Sequence, residues 1–351
     1  MLRGGGDARK LFHEVISVPN LLLAWNEFKK GKRKKSDVAH FELHLEENIF
    51  RLHDELRTKI YKYDPYKDFF VCDPKRRHIH KASVRDRVLH QALFRVLYNV
   101  FDKHFIFDSY SSRNDKGTHA GVSRLNNAIR KVSKNWTVTV WVLKCDVRKF
   151  FDSIDHSILR ELIVQRVDDE DILWLVDIIF SSFEKEKGKG LPLGNVTSQL
   201  FANIYLNTLD QYVKHVMKVK YYFRYSDDFV IVHDDREFLL GCITDVAQFL
   251  SEKLSLELHP HKVEVRKVTQ GIDFLGYVIL PHAIVVRTKT KRRIRRKVKE
   301  GVIAEKCEQI SKETFRSVIS SYLGIFSHAR AKRATAFLKM ILDRLGKKKA
   351  L

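Results

Sequence analysis

Cysteine is scarce in this chain. Cys72, Cys145, Cys242 and Cys307 are its four, and no two stand in a Cys-x-x-Cys spacing. That excludes a zinc ribbon and a compact disulfide framework, and it fits a reducing compartment. The first residues, Met1-Leu2-Arg3-Gly4-Gly5-Gly6, carry no apolar core and form no secretory signal. Apolar tracts are interrupted by charge, as where Asp168, Asp169, Glu170 and Asp171 precede Ile172-Leu173-Trp174, so no membrane span is expected. No internal repeat or long low-complexity segment is present. Acid is also in short supply: 43 Asp and Glu face 65 Lys and Arg, leaving +22. Such an excess favours a polyanionic partner, nucleic acid foremost, over a merely basic protein. With 351 residues, 44% of them hydrophobic, the chain can build two or three domains with real cores.

Hydrophobic periodicity predicts helices over most of 11–60, interrupted by the basic run Lys29-Lys30-Gly31-Lys32-Arg33-Lys34-Lys35. That run is a solvated loop or a phosphate contact. Strands joined by Lys75-Arg76-Arg77 are expected within 61–83, then a helix from Val84 to Asp102. A polar loop over 108–119 leads to a helix near 119–132. Val138, Val140 and Val142 alternate with Thr139 and Trp141, which predicts a strand ending at Asp146. Helices follow near 155–166, 170–182, 198–217 and 236–254, and strands near 263–267 and 273–286. Nine positive residues lie between Arg287 and Lys299, with only Ile294 and Val298 apolar. Such a helix has either a solvated face or a strip for nucleic-acid phosphate, carried by Arg292, Arg293, Arg295 and Arg296.

The run from Tyr221 to Val232 organises the chain. Apolar residues flank Asp227-Asp228, which predicts a β-hairpin with acids at its turn. A solvated turn would accept them. A divalent-metal site would use them, since hard cations take carboxylate oxygens and substrate phosphates. Asp146, at a second strand end, completes a set of three carboxylates. Together they could hold two metal ions about 3.5–4 Å apart for in-line displacement at a phosphate.

Leu143-Lys144-Cys145-Asp146-Val147-Arg148-Lys149-Phe150-Phe151-Asp152 closely resembles the first palm motif of reverse transcriptases, and Tyr225-Ser226-Asp227-Asp228 resembles their Tyr-x-Asp-Asp motif. Gly190–Gln199 sits where that family has its Gly-x-x-x-Ser loop. Phe274-Leu275-Gly276-Tyr277 looks like the primer grip, with Lys262 where the family has a lysine before it. The resemblance runs in the family's order from about Leu11 onward.

It implies an α+β right-hand polymerase with an antiparallel palm sheet. Residues 1–60 would be a helical N-terminal extension of the fingers, 61–136 the fingers, 137–284 the palm and 285–351 a basic helical thumb. Asp146, Asp227 and Asp228 would be catalytic. With the Val147 carbonyl they would hold two Mg²⁺ ions, Mn²⁺ being a substitute. Lys75, Arg77, Phe151, Leu193, Gly194, Gln199 and Lys262 would bind the dNTP. Phe151 would exclude a 2′-hydroxyl, and Arg77 would match the family's fingers arginine. Arg113 and Lys116 would contact template or phosphate. Template RNA, cDNA or primer, and dNTPs would be the partners, in the cytoplasm of a bacterial, archaeal or phage-encoded system. An integrase, an endonuclease or a large RNase H domain is not expected.

Leu193, Gly194, Ser198 and Gln199 form a Leu-Gly-x-x-x-Ser-Gln loop, which resembles that of reverse transcriptases from diversity-generating retroelements. Ser109-Tyr110 and Lys116-Gly117-Thr118-His119 point the same way. That resemblance implies copying errors opposite template adenines and a small, basic, oligomeric accessory protein. The alternatives are a group II-like, retron or phage-defence reverse transcriptase, or an idle RNA-binding scaffold. Ser226 departs from the commoner Met or Ala.

Overall fold

The computed structural model describes residues 10–73 and 75–346. The reading of Met1–Gly6, and the outer ends of the first and last expected domains, lie outside them. Two compact units divide the chain. Unit one takes the described residues up to Gly117, with Cys145–Phe229 and Gly241–Val263; unit two takes Thr118–Lys144, Val230–Leu240 and the described residues from Glu264 on.

Four helices open unit one: α1 (Lys10–Ile16), α2 (Val18–Phe28), α3 (Ser36–Leu43) and α4 (Leu45–Arg57). The Ser17 side chain caps α2 by accepting from the Asn20 amide. Leu21, Ala24, Trp25 and Phe28, at helical spacing, are buried. Part of the basic run after α2 is engaged locally. Lys32 donates to the last-turn carbonyl of Phe28 at 2.6 Å, and Arg33 pairs with Glu42 at 2.6 Å.

The hairpin β1 (Lys67–Val71) and β2 (Arg77–Lys81) precedes α5 (Val84–Phe101). Ser83 caps α5, whose Val88, Leu89, Ala92, Leu93, Val96 and Leu97 face the core. His90 on α5 is wholly buried between the Tyr63 hydroxyl at Nε2 and the Thr197 hydroxyl at Nδ1, both 2.6 Å away. Burial lowers its pKa to about 3, so it is a neutral, satisfied core histidine.

The chain continues through α6 (Thr118–Val132), β3 (Trp141–Asp146), α7 (Phe150–Ser153), α8 (His156–Val164), α9 (Glu170–Ser181) and α10 (Val196–Gln211). Next come β4 (Tyr222–Tyr225), β5 (Asp228–His233), α11 (Arg236–Leu254) and β6 (Glu264–Lys267). Strands β3 and β5 each belong in part to both units, and the sheet order is β4-β5-β3-β6. β3 starts at Trp141 rather than Val138. Lys134, Asn135 and Trp136 all adopt positive φ, and the turn they make delays the strand. The helix expected to reach 217 is regular only to Gln211. Beyond it the turn widens, the Met217 amide donating to the Tyr212 carbonyl five residues back.

In unit two the expected strand region 273–286 resolves into β7 (Ile272–Phe274), β8 (Tyr277–Leu280) and β9 (Ala283–Val286), an antiparallel meander. Leu275 and Gly276 turn β7 into β8 with φ of 49° and 89°, as a two-residue hairpin of this hand requires. Helices α12 (Thr288–Lys306), α13 (Lys312–Ser327) and α14 (Lys332–Gly346) follow. Ile294 and Val298 are the buried side of α12, and the guanidiniums of Arg292, Arg295 and Arg296 lie on its exposed side. A Cβ on Gly301 would overlap the Phe315 ring, so α12 and α13 approach closely there. Among the described residues, no helix is long and apolar enough to cross a membrane.

Candidate active site

The three carboxylates expected to act together are all in unit one, on the ends of adjacent strands. Asp146 is the last residue of β3; Ser226-Asp227 is the turn between β4 and β5; Asp228 opens β5. The Val147 amide donates to the Asp227 carbonyl at 3.3 Å, which ties the segment after β3 to that turn. On the other side of Asp146, the His259 amide donates to its carbonyl at 2.8 Å, and the Arg148 amide donates to the Glu257 carbonyl at 2.8 Å. The backbone holding Asp146 is therefore fixed on both sides, as a metal ligand needs.

The electrostatics call for a cation. The Asp227 carboxyl is pushed up, first by burial and then by the charge of Asp146. A hydrogen bond from Ser226 and the charge of Lys262 pull it the other way. The Lys262 ammonium donates to Asp146 Oδ1 at 2.7 Å. One lysine thus meets crowded, partly buried acids that would share divalent cations. This oxygen-only donor set suits Mg²⁺ or Mn²⁺, and Asp146, Asp227 and Asp228 are the residues that would hold them. Burial and the nearby Asp228 push the Cys145 thiol up, so it stays a neutral packing group.

A second group assembles next to the first motif. The Leu191 amide donates to the Phe151 carbonyl at 2.7 Å, and the Gly190 amide to the Ile154 carbonyl at 2.8 Å. His156 reinforces this through its Nε2, 2.7 Å from the Gly190 carbonyl. The loop bearing Leu193 and Gly194 is thereby zipped to the segment bearing Phe151, and Phe151 and Leu193 are both half-buried. Gly194 has φ +123°, a conformation open to glycine but strained for other residues. A Cβ there would touch Ile79 at 3.4 Å and the His80 carbonyl at 3.6 Å, ordinary contacts. Conformation, not lack of space, therefore requires the glycine, and β2 is the neighbouring strand. Lys75, two residues before β2, and Arg77, its first residue, are exposed.

The remaining expected residues fall elsewhere. Gln199 is exposed, its Oε1 accepting from the Ser112 hydroxyl at 2.9 Å. The Arg113 guanidinium is engaged inside the protein, donating to Asp102 Oδ1 at 2.6 Å and to the Ile106 and Ser109 carbonyls. It clamps its own loop and offers little to phosphate. Lys116 donates to the Phe107 carbonyl at 3.0 Å and sits 3.4 Å over the Phe107 ring. In unit two, Phe274 and Tyr277 are buried, and the Tyr277 hydroxyl donates to the Ile325 carbonyl at 2.9 Å.

The sequence reading missed what lies under the Asp-Asp turn. Arg224 and Asp210 are both fully buried. Arg224 donates through Nε and Nη2 to the two oxygens of Asp210, at 2.7 and 2.6 Å. Its Nη1 donates to Asn203 Oδ1 at 3.2 Å and to the Ser226 carbonyl at 3.1 Å, within the turn itself. The Tyr222 hydroxyl also donates to Asp210, at 2.8 Å. A signal was available: an arginine inside the apolar run Tyr221-Tyr222-Phe223-Arg224-Tyr225 must be buried with a partner.

Known proteins are similar to this chain. The sequence profile of the family described as reverse transcriptase (RNA-dependent DNA polymerase) matches residues 67–279. Protein YkfC of Escherichia coli is 23% identical over 269 residues, covering 65% of this chain and 70% of that protein. The putative COX1/OXI3 intron 2 protein of Saccharomyces cerevisiae is 20% identical over 330 residues, covering 73% of this chain and 37% of that protein. Group II intron-encoded protein LtrA of Lactococcus lactis subsp. cremoris is 21% identical over 305 residues, covering 67% of this chain and 50% of that protein. The chain thus spans half or less of the two intron proteins. The profile takes in both strand ends that bear the acids, the loop with Gly194 and the turn after Phe274, and the chain belongs to the reverse transcriptase (RNA-dependent DNA polymerase) family.

Proposed function

We propose that this protein copies a retroelement template RNA into cDNA, with errors concentrated opposite template adenines, as the diversity-generating class does. One observation carries the polymerase reading: the Asp227 carboxyl, raised by burial and by Asp146, beside a lysine bound to Asp146. Acids so crowded are unfavourable without a cation.

In this reading Asp146, Asp227 and Asp228 hold two divalent ions, with the Val147 carbonyl as a further ligand. When bound, such ions supply the Lewis acidity that activates a 3′-hydroxyl and neutralises charge on the phosphates. The protein's own residues select and orient. Phe151 presents a ring under the incoming sugar and excludes a 2′-hydroxyl. Arg77 and Lys75 bind the triphosphate. Lys262 neutralises charge beside Asp146, and Gly194 lets backbone lie close to the nascent pair. Phe274–Tyr277 places the primer end, and Arg292, Arg293, Arg295 and Arg296 bind duplex phosphate. Residues 61–136 then serve as fingers, 137–284 as palm and 285–351 as thumb, with 1–60 extending the fingers. A small basic accessory protein completes the complex.

Leu193 supports the mutagenic reading. An apolar side chain beside the nascent pair removes a hydrogen-bonding group from geometric selection. The likeness to a group II intron-encoded protein favours a second reading, in which the same site copies accurately. Sequencing the cDNA made on a defined RNA separates them. The first reading expects errors opposite adenine that fall several-fold in Leu193→Gln. An accurate wild type, or an unchanged error spectrum in Leu193→Gln, would favour the second.

A further inference from the structure

The β1–β2 hairpin carries a group of donors that the polymerase reading does not use. His78 and His80 are two apart on β2 and so face the same side of the hairpin. Asp68 on β1 is the cross-strand partner of His80. One donor atom from each of the three lies within 4.8 Å of the others. His80 Nδ1 is 2.7 Å from Asp68 Oδ1, and His78 Nε2 is 3.6 Å from Asp68 Oδ2. The two imidazole centroids are 4.3 Å apart.

We propose that Asp68, His78 and His80 form a transition-metal site, for Zn²⁺ or a similar ion, separate from the catalytic acids. Two histidines in a His-x-His pair on one strand, with a third ligand from the next strand, surround a point just off the sheet face. Around a tetrahedral ion with bonds of about 2.0–2.1 Å, ligand atoms stand roughly 3.3 Å apart. The three donors need only small side-chain rotations to reach that spacing. Two imidazoles and one carboxylate select zinc, cobalt, nickel or copper over magnesium, which demands oxygen. The rings are already oriented. Phe70 stacks on His78 at 4.6 Å, and Phe183 lies 4.5 Å from His80. Three protein ligands leave a fourth position for water.

The site would do more than hold an ion. His78 directly follows Arg77, and the His80 backbone lies beside Gly194. A metal joining β1 to β2 would stiffen the hairpin that presents Arg77. That consequence rests on the proposed polymerase role of Arg77; metal binding itself does not.

The test uses the whole chain, loaded with Zn²⁺ in excess Mg²⁺, desalted, and analysed for zinc by mass spectrometry. Wild type should retain one equivalent. His80→Gln and Asp68→Asn should each lose it, while Asp227→Asn, at the catalytic acids, and Cys72→Ser, just after β1, should keep it. Amide exchange over 67–81 gives a second readout. With free zinc at ten times its Kd, openings that break the site should slow about tenfold, in wild type only. No retained zinc would overturn the proposal and leave Asp68 as the hydrogen-bond partner of His80, with His78 3.6 Å away. Zinc kept by His80→Gln, or lost in Asp227→Asn or Cys72→Ser, would overturn it equally. Because neither readout uses DNA synthesis, failure here is distinct from failure of the polymerase reading.

Discussion

At Asp227 folding and function oppose each other. Its carboxyl is raised, so the folded chain holds that proton more tightly than the unfolded chain does. The stability this group adds is present at low pH and is lost as pH rises through the raised pKa. At neutral pH in EDTA, then, the ionised acid weakens the fold. Asp227→Asn should raise stability there, because it removes a buried charge crowded by Asp146, while abolishing synthesis. A melting scan in EDTA checks this, and a lower melting temperature in the variant would contradict it. Wild type should also gain more from Mg²⁺ at pH 7 than at pH 5, since metal competes with the proton.

The Arg224–Asp210 pair works the other way. Removing one partner strands a buried charge, so Asp210→Ala should cost about 3–5 kcal/mol in denaturant unfolding. Replacing both by apolar residues of similar volume should cost much less. If the double replacement costs as much as the single, the buried-charge account is wrong. Because Nη1 of Arg224 holds the Ser226 carbonyl, a folded double variant should still lose synthesis.

Among the elements, what the sequence made legible was set by local chemistry. Alternation and an acidic turn were enough to place the hairpin of β4 and β5. Ile294 and Val298 gave α12 its buried side, with arginines on the other. The helices beginning at Val84 and Arg236 were readable from spacing alone. Less legible were the start of β3, delayed by the left-handed turn at Lys134–Trp136, and the split of 273–286 into three strands. That split depends on Leu275 accepting a positive φ, which its side chain does not advertise. Arg113 was ambiguous because composition cannot distinguish an arginine facing phosphate from one holding its own loop's carbonyls. The Arg224–Asp210 pair joins residues 14 apart through tertiary packing, and spacing gives no hint of that. Gly301 is another tertiary requirement. Its missing Cβ leaves room for the Phe315 ring, so Gly301→Leu should cost about 1–3 kcal/mol through overpacking, despite its better helix propensity. A more stable Gly301→Leu protein would show that α12 and α13 do not meet as described.

Over the whole molecule, the charge of +22 favours RNA binding that weakens as salt rises. Log affinity should fall linearly with log salt, by roughly 0.7–0.9 per phosphate neutralised. Changing Arg292, Arg295 and Arg296 together to Gln should lower that slope by about 2 if α12 lies on the backbone. An unchanged slope would make the exposed arginines a solvated face.

If the three carboxylates on adjacent strand ends carry RNA-templated DNA synthesis, losing one of them should abolish it. The measurement that tests this most directly is extension of a DNA primer on an RNA template with Mg²⁺ and four dNTPs, comparing wild type with Asp228→Asn. Wild type should give full-length cDNA, with no product when Mg²⁺ is withheld and none from the variant. Equal synthesis by Asp228→Asn, or no incorporation by wild-type protein shown to bind the same RNA, would contradict it.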